Sequence, residues 1–90
     1  MITVDLRPRL HPQVAGRMIG NEAVLVLADT GQVMVLNEVG GRIWELIDGS
    51  RTVADIARIL VDEYEVSEEQ ALADLQTFIQ ELVEKQVLVV

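Results

Sequence analysis

Residues 33–56 read VMVLNEVGGRIWELIDGSRTVADI, a stretch that predicts a strand, a helix, a tight stop and the start of a second helix. Asn37 follows the apolar strand Val33 to Leu36, and its side chain can accept hydrogen bonds from the first turn of a helix. The helix should end near Gly49, and Thr52 should begin the next one. The apolar face of the first helix has helical spacing and consists of Val39, Ile43, Leu46 and Ile47.

Two apolar segments upstream of this stretch predict a β-hairpin. Val14 to Ile19 and Ala23 to Ala28 flank Gly20-Asn21, a pair suited to a two-residue turn with glycine in its first central position. Because every residue from Ala23 to Ala28 is apolar, we expect a central strand covered on both faces. After a turn at Asp29 to Gly31, the third strand is Gln32 to Leu36.

This third strand is unusual because it carries apolar side chains on both faces and is expected at the edge of the sheet. One set of alternate residues is Val33 with Val35, and the other is Met34 with Leu36. An edge strand presents unpaired backbone groups, so another chain can dock there. A covering N-terminal arm or a dimer mate is the alternative use of such an edge.

The C-terminal half predicts two more helices. Thr52 with Asp55 resembles a capping box, and the second helix is expected from about Val53 to Tyr64. Ser67 and Gln70 form an S-x-x-Q capping box at the start of a third helix. That helix has a main core stripe and an adjoining second stripe, which indicates two neighbours. The main stripe is Leu72, Leu75, Ile79, Leu82 and Val83, and the second is Ala71, Asp74 and Phe78.

The ends of the chain lack clear patterns. Residues 1–12 contain two prolines and are interpreted as an arm. The apolar tail Val87 to Val90 has to fold back onto the domain or meet a partner. We expect residues 1–90 to form a single domain. The predicted fold class is α+β, with a three-stranded antiparallel sheet followed by three helices and a helix-turn-helix corner between the last two helices.

Composition argues against several classes of function. The net charge is −8, and from Val61 onward Lys85 is the only cation among eight carboxylates, so this third of the chain should repel nucleic acid. The chain has no cysteine, which excludes a thiolate metal site and is compatible with the cytoplasm. No apolar run approaches the roughly 18 residues of a membrane span. We find no paired acid and base, metal cluster or activated nucleophile, so we expect neither a cofactor nor an enzyme.

Two features of the first helix call for an explanation. Gly40 and Gly41 each cost about 1 kcal/mol relative to alanine inside a helix, so we expect another element to approach them closely. Trp44 is the sole tryptophan. We interpret it as a core anchor between helix and sheet, with a ligand contact as the alternative.

Together these residues resemble a known family. The pattern L-N-x-x-G-x-x-I-W-E-L-x-D-G-x-R-T-V-x-x-I, from Leu36 to Ile56, is similar to the PqqD-like proteins, also called RiPP recognition elements. The resemblance covers nearly the whole chain from about Val14. Further matching positions are Tyr64, Ala71, Asp74, Phe78 and Leu82.

The resemblance implies a winged helix-turn-helix domain of three strands and three helices. Such a domain binds the leader segment of a ribosomally made precursor peptide as an additional strand beside the third strand. The domain would then present the precursor to a maturation enzyme, such as a radical S-adenosylmethionine enzyme or a leader peptidase. The pathway stays open between pyrroloquinoline quinone, a lasso peptide and another product. The implied peptide-binding residues are Gln32, Val33, Met34, Val35, Leu36, Ala71, Asp74, Leu75 and Phe78.

From these positions we expect the peptide to lie between the third helix and the third strand. It would pass between the line of Ala71, Asp74 and Phe78 on one side and Val33 or Val35 on the other. The main alternative is a winged-helix DNA-binding regulator that reads DNA with its third helix. DNA binders place cations on that helix, whereas this one is acidic, so peptide binding is favoured.

Overall fold

The computed structural model describes residues 2–90. The three-stranded antiparallel sheet has the order β2 (Val14–Ile19), β3 (Glu22–Leu27), β4 (Gln32–Leu36), and β1 (Arg9–Leu10) pairs with β5 (Leu88–Val89) in a separate two-stranded sheet. Three helices follow the larger sheet, so the predicted α+β fold class is confirmed. The elements in chain order are β1 (Arg9–Leu10), β2 (Val14–Ile19), β3 (Glu22–Leu27), β4 (Gln32–Leu36), α1 (Glu38–Leu46), α2 (Val53–Glu63), α3 (Glu68–Glu84) and β5 (Leu88–Val89).

The hairpin turn between β2 and β3 lies where the sequence predicts it. Ile19 pairs with Glu22, which leaves Gly20 and Asn21 as the two turn residues. Gly20 has a φ of 62°, a conformation that glycine adopts without steric cost. The strand β3 begins and ends one residue earlier than predicted.

The predicted caps begin the first two helices. Asn37 Oδ1 accepts a hydrogen bond from the Gly40 amide at 2.9 Å. Thr52 Oγ1 accepts from the Asp55 amide at 3.0 Å, and Asp55 Oδ2 accepts from the Thr52 amide at 2.9 Å. Both bonds of the predicted capping box are therefore present at the start of α2.

At the start of α3 only half of the predicted capping box forms. Ser67 Oγ accepts a hydrogen bond from the Gln70 amide at 3.1 Å. The side chain of Gln70 turns the other way and donates to Asp74 Oδ1 at 2.8 Å. The Gln70 side chain therefore bonds to a charged oxygen one helical turn later instead of completing the predicted capping box.

Two predicted helix faces need correction. Val39 is 43% exposed, because the packed face of α1 contains Gly40 and Gly41 instead. In α3, Ala71 is only 5% exposed and belongs to the core rather than to a second stripe. Leu72 and Val83, predicted as core, are only partly buried. The buried residues of α3 are Ala71, Leu75, Ile79 and Leu82.

The glycine pair in α1 makes the close approach that the sequence indicates. A Cβ placed on Gly41 would lie 3.3 Å from the backbone nitrogen of Ala23 in β3. A Cβ on Gly40 would lie 3.2 Å from Phe78 Cζ in α3. Trp44 packs as a partly buried residue against the core, as predicted, and its ring faces Gly16 of β2.

The two ends of the chain are more structured than the sequence indicates. The carbonyl groups of Leu6 and Val4 accept hydrogen bonds from the amides of Val53 and Ala54, both at 2.9 Å. The arm therefore caps the start of α2, whose amides have no partners within the helix. The tail folds back, with β5 paired to β1 and Val87 fully buried.

The three-stranded sheet is covered on one face only. Ala23, Leu25 and Leu27 of β3 are buried beneath the helices. Val26 of the same strand is 41% exposed, so the prediction of a strand covered on both faces is wrong. Among the helices of residues 2–90, none combines the length and apolar character that a membrane span requires.

Candidate functional site

An apolar pocket with a volume of about 360 Å³ opens between the three helices. Asp74 is its only charged lining residue, and the ring of Tyr64 closes the side next to α2. The lining residues are Asn37, Val39, Gly40, Ile43, Leu60, Tyr64, Val66, Ala71, Asp74, Leu75 and Phe78. Such a lining suits apolar side chains and offers one hydrogen-bond acceptor for orientation.

All four site residues predicted on α3 line this pocket. Ala71 and Leu75 are 5% and 1% exposed, so they form its floor and also belong to the core. Phe78 is half-buried and forms a wall. Asp74 is exposed at the rim, where Gln70 donates to one of its oxygens.

The α1 side of the pocket was missed by the sequence analysis. Val39 lies exposed at the rim rather than in the core. Gly40 forms part of the wall, and its missing side chain leaves room for the ring of Phe78. The glycine pair was the available signal, because a costly glycine inside a helix marks a place where something approaches closely.

An ion pair holds α1 against the end of α2 beside the pocket. Arg42 Nε donates to Glu63 Oε1 at 2.7 Å, and Arg42 Nη2 donates to Glu63 Oε2 at 2.6 Å. This bidentate contact lowers the pKa of Glu63 below its ordinary value. Burial raises the pKa of the neighbouring Tyr64, and the charge of Glu38 acts in the same direction. Tyr64 is therefore neutral when it lines the pocket.

The sheet has two edge strands, β2 and β4, so β4 lies at an edge as predicted. Its five residues pair with β3 from Leu36 opposite Ala23 to Gln32 opposite Leu27. Within residues 2–90 no strand pairs with its other edge, because the N-terminal arm pairs with β5 instead. The edge therefore presents backbone donors and acceptors to an incoming strand.

Val33 and Val35, which were predicted to face the third helix across a bound peptide, do not face the pocket. Both side chains are 59% exposed and lie on the face of the sheet that the helices leave open. Met34 and Leu36 point toward the helices, because side chains alternate along a strand and these two pair with buried Leu25 and Ala23. None of the residues Gln32–Leu36 lines the pocket.

The edge and the pocket nevertheless meet at one point. Leu36 is the last residue of β4. A Cβ placed on Gly40, in the pocket wall, would lie 3.3 Å from the Cβ of Leu36. Asn37, the next residue, is itself part of the lining. A strand added to β4 would therefore run past the mouth of the pocket at the Leu36 end.

Neither metal binding nor DNA reading finds support in the described residues. Residues 2–90 contain no group of three or more His, Cys, Asp or Glu side chains that could hold a metal ion. The exposed surface of α3 is acidic, with Glu68, Glu69, Glu81 and Glu84 exposed. A phosphate backbone would be repelled by that surface.

Comparisons with known proteins agree with this fold. A family model described as "Coenzyme PQQ synthesis protein D (PqqD)" matches residues 22–88. A solved structure described as "TbiB1 in complex with the TbiA(beta) leader peptide" is 30% identical, with a TM-score of 0.84, covering 89% of this chain and 93% of that chain. No curated protein sequence matches significantly.

A second solved structure, described as "Lasso peptide synthetase B1 complexed with the leader peptide", is 25% identical to this chain. Its TM-score is also 0.84, and the match covers 93% of this chain and 99% of that chain. The family match extends over the three helices, β3 and β4, which together build the pocket and the free edge. The chain therefore belongs to the PqqD family.

Proposed function

We propose that this domain recognises the leader segment of a ribosomally synthesised precursor peptide by adding it as a strand to the free edge of β4. The observation that carries the proposal is the meeting of an unpaired strand edge with an apolar pocket at Leu36 and Gly40. Backbone hydrogen bonds along the edge would supply general affinity, and side chains in the pocket would supply specificity. The leader complexes of the two similar structures support this assignment.

The predicted site residues take different roles in this arrangement. Gln32 to Leu36 offer their backbone to the leader, while Ala71, Leu75 and Phe78 receive an apolar anchor side chain in the pocket. Asp74 accepts a hydrogen bond from a donor group of the leader at the pocket rim. Alternate side chains of the added strand would point toward the helices and toward the open face.

The domain would act as a partner of an enzyme rather than as a catalyst. We propose that it presents the bound precursor to a maturation enzyme, such as a radical S-adenosylmethionine enzyme or a leader peptidase. Precursor peptides are made on ribosomes, so the cytoplasm is the proposed location. The arrangement needs no cofactor, because backbone pairing and apolar contacts account for the binding.

Two proline variants test strand addition. Amide groups of neighbouring strand residues point to opposite edges, so Met34→Pro and Val35→Pro each remove a donor from a different edge of β4. One variant disrupts pairing with β3 and lowers stability. The other keeps the fold, and we expect it to weaken leader binding at least about tenfold.

The measurement is calorimetry with the TbiA(beta) leader peptide, the ligand of the similar TbiB1 structure, and a scrambled version of that peptide is the control. Circular dichroism identifies the variant that retains its fold. Unchanged leader affinity in that folded variant would contradict strand addition at β4.

A further inference from the structure

Tyr64 stands between two cavities. One is the apolar pocket between the three helices, which we call the leader pocket. The other, which we call the second cavity, has a volume of about 210 Å³ and lies between α1, Tyr64 and the turn that joins β2 to β3. Within residues 2–90, Tyr64 is the one residue that lines both of these cavities. Its side chain is therefore a partition between the two spaces.

The two cavities differ in charge. Asp74 is the only charged residue that lines the leader pocket, and it lies exposed at the rim. The second cavity is lined by two carboxylates, Glu38 and Glu45, and by one guanidinium group, that of Arg42. Arg42 already has partners, because it makes the bidentate contact with Glu63 and its Nη1 lies 3.6 Å from Glu45 Oε1. The second cavity is therefore polar, with an excess of negative charge.

The local structure holds Tyr64 in this position. Tyr64 follows the last residue of α2, and its φ of −125° and ψ of 146° make the chain extended there. Its amide donates to the Leu60 carbonyl at 2.8 Å, which fixes the backbone at the end of the helix. Glu63, the residue before it, is held to α1 by Arg42. Tyr64 is half-buried, and its hydroxyl stays neutral because burial, together with the charge of Glu38, raises its pKa.

The closed end of the leader pocket limits which side chain of the leader can enter it. We call that side chain the anchor. The leader pocket, with its volume of about 360 Å³, has room for one large anchor, since an apolar cavity of about 150 Å³ holds a benzene molecule. A longer anchor would collide with the ring of Tyr64. Below the rim, a charged anchor would lose its hydration without gaining an ionic partner, which weakens binding.

We propose that Tyr64 is a specificity-determining residue for the leader: its ring ends the leader pocket, so the wild type accepts an uncharged anchor and rejects a long cationic one. This inference rests on the proposed leader binding. Shortening Tyr64 would join the leader pocket to the second cavity. An arginine anchor would then extend through the opening and meet the carboxylates of Glu38 and Glu45.

The test measures which anchor the pocket prefers, with the TbiA(beta) leader peptide as the probe. A first set of peptides, each with one apolar residue replaced by alanine, locates the anchor. At the anchor position the replacement weakens binding to the wild type but not to Phe78→Ala, which already lacks the pocket wall. Two further peptides carry phenylalanine or arginine at that position. Calorimetry gives the ratio of the two affinities, which we call the anchor preference.

We expect the wild type to prefer the phenylalanine anchor at least about tenfold, and Tyr64→Ala to lower this preference at least about tenfold. The arginine gains acidic partners in that variant, so adding Glu38→Gln to Tyr64→Ala should restore part of the preference. Tyr64→Phe keeps the ring and should keep the wild-type preference. Val66→Ala is the matched control, because Val66 is also half-buried and lines the leader pocket but not the second cavity. Both anchors should lose affinity equally in that variant.

The readouts separate this inference from the proposed function. Failure of the wild type to bind the leader peptide overturns the proposed function, and this inference with it. Normal leader binding with the wild-type anchor preference in Tyr64→Ala overturns the role of Tyr64 alone. An equal change of preference in Val66→Ala would indicate general widening of the pocket and also overturn that role. Circular dichroism checks the fold, and if Tyr64→Ala unfolds, Tyr64→Leu should change the preference in the same direction by a smaller factor.

Discussion

The two faces of one strand, β3, differ sharply in how far the rest of the chain covers them. On the inner face Ala23 and Leu25 are fully buried and Leu27 is 2% exposed, beneath the helices. On the outer face Val26 is 41% exposed, although its side chain is as apolar as those of its neighbours. An open sheet face is ordinarily polar, because alternation of apolar and polar residues follows from one-sided burial. Apolar residues on the open side of β3 therefore indicate an interaction that the isolated domain does not satisfy.

The first prediction tests the difference in stability between these faces. Leu25→Ala should lower the free energy of unfolding by about 2 to 5 kcal/mol, because it opens a cavity in the core. Val26→Ala, one residue away on the opposite face, should lower it by less than about 1 kcal/mol. Urea unfolding of both variants measures the difference. Equal losses of unfolding free energy in the two variants would mean that the open face of the sheet, which carries Val26, is covered in solution.

A second prediction separates core from pocket on the inner side of the sheet. Phe78 is half-buried in the pocket wall, whereas Leu75 is 1% exposed. Loss of one anchor contact is worth about 1.5 to 3 kcal/mol, so Phe78→Ala should weaken leader binding about tenfold to more than hundredfold. Calorimetry with the leader measures this loss.

Leu75→Ala is the control for that experiment, since it removes a side chain that serves the core. We expect it to lower the melting temperature more than Phe78→Ala does, because the cavity that it opens is enclosed. Equal destabilisation by the two variants would assign Phe78 to the core. The leader-binding surface would then have to lie elsewhere.

The smallest expected effect comes from a residue that touches neither face of the sheet. Gln86 has a φ of 61°, and the amide of Val87 after it donates to Leu82 at the end of α3. Glycine adopts this left-handed conformation without steric cost, so Gln86→Gly should stabilise the domain by about 0.5 kcal/mol. Gln80→Gly inside α3 should destabilise it by about 1 kcal/mol. Thermal unfolding of the pair distinguishes a backbone effect from a packing effect, and a loss of stability in both would contradict the prediction.

Local features of the fold were predictable because neighbouring residues determine them. The cap at Asn37, the capping box of Thr52 and Asp55, and the turn at Gly20 each form between residues only a few positions apart. The edge position of β4 followed from the order of the strands along the chain. Local prediction failed at Gln70, whose side chain could reach either the backbone of Ser67 or the carboxylate of Asp74. The sequence did not indicate that it would bond to Asp74.

The pocket was only partly predictable for a different reason. Its α3 wall followed from helical spacing and from the family pattern, which placed Asp74 and Phe78 on one side of a helix. Its α1 wall was not predicted, because hydrophobicity favours burial of Val39 over Gly40. In the structure the glycine is buried and the valine is exposed. Close approach of two helices favours the smaller residue, and only the assembled structure shows where that approach occurs.

The sequence by itself determined which segments become strands and helices, where most of them begin, and that the strand Gln32 to Leu36 is apolar on both sides. Only the tertiary structure decided that Val33 and Val35 face away from the helices, that the arm caps α2 instead of covering β4, and that the tail pairs with β1. Turn and cap preferences depend on hydrogen bonds within a few residues. Coverage of a sheet face depends on whether a distant segment packs there, and an apolar pattern is the same whether the covering layer belongs to its own chain or to a partner.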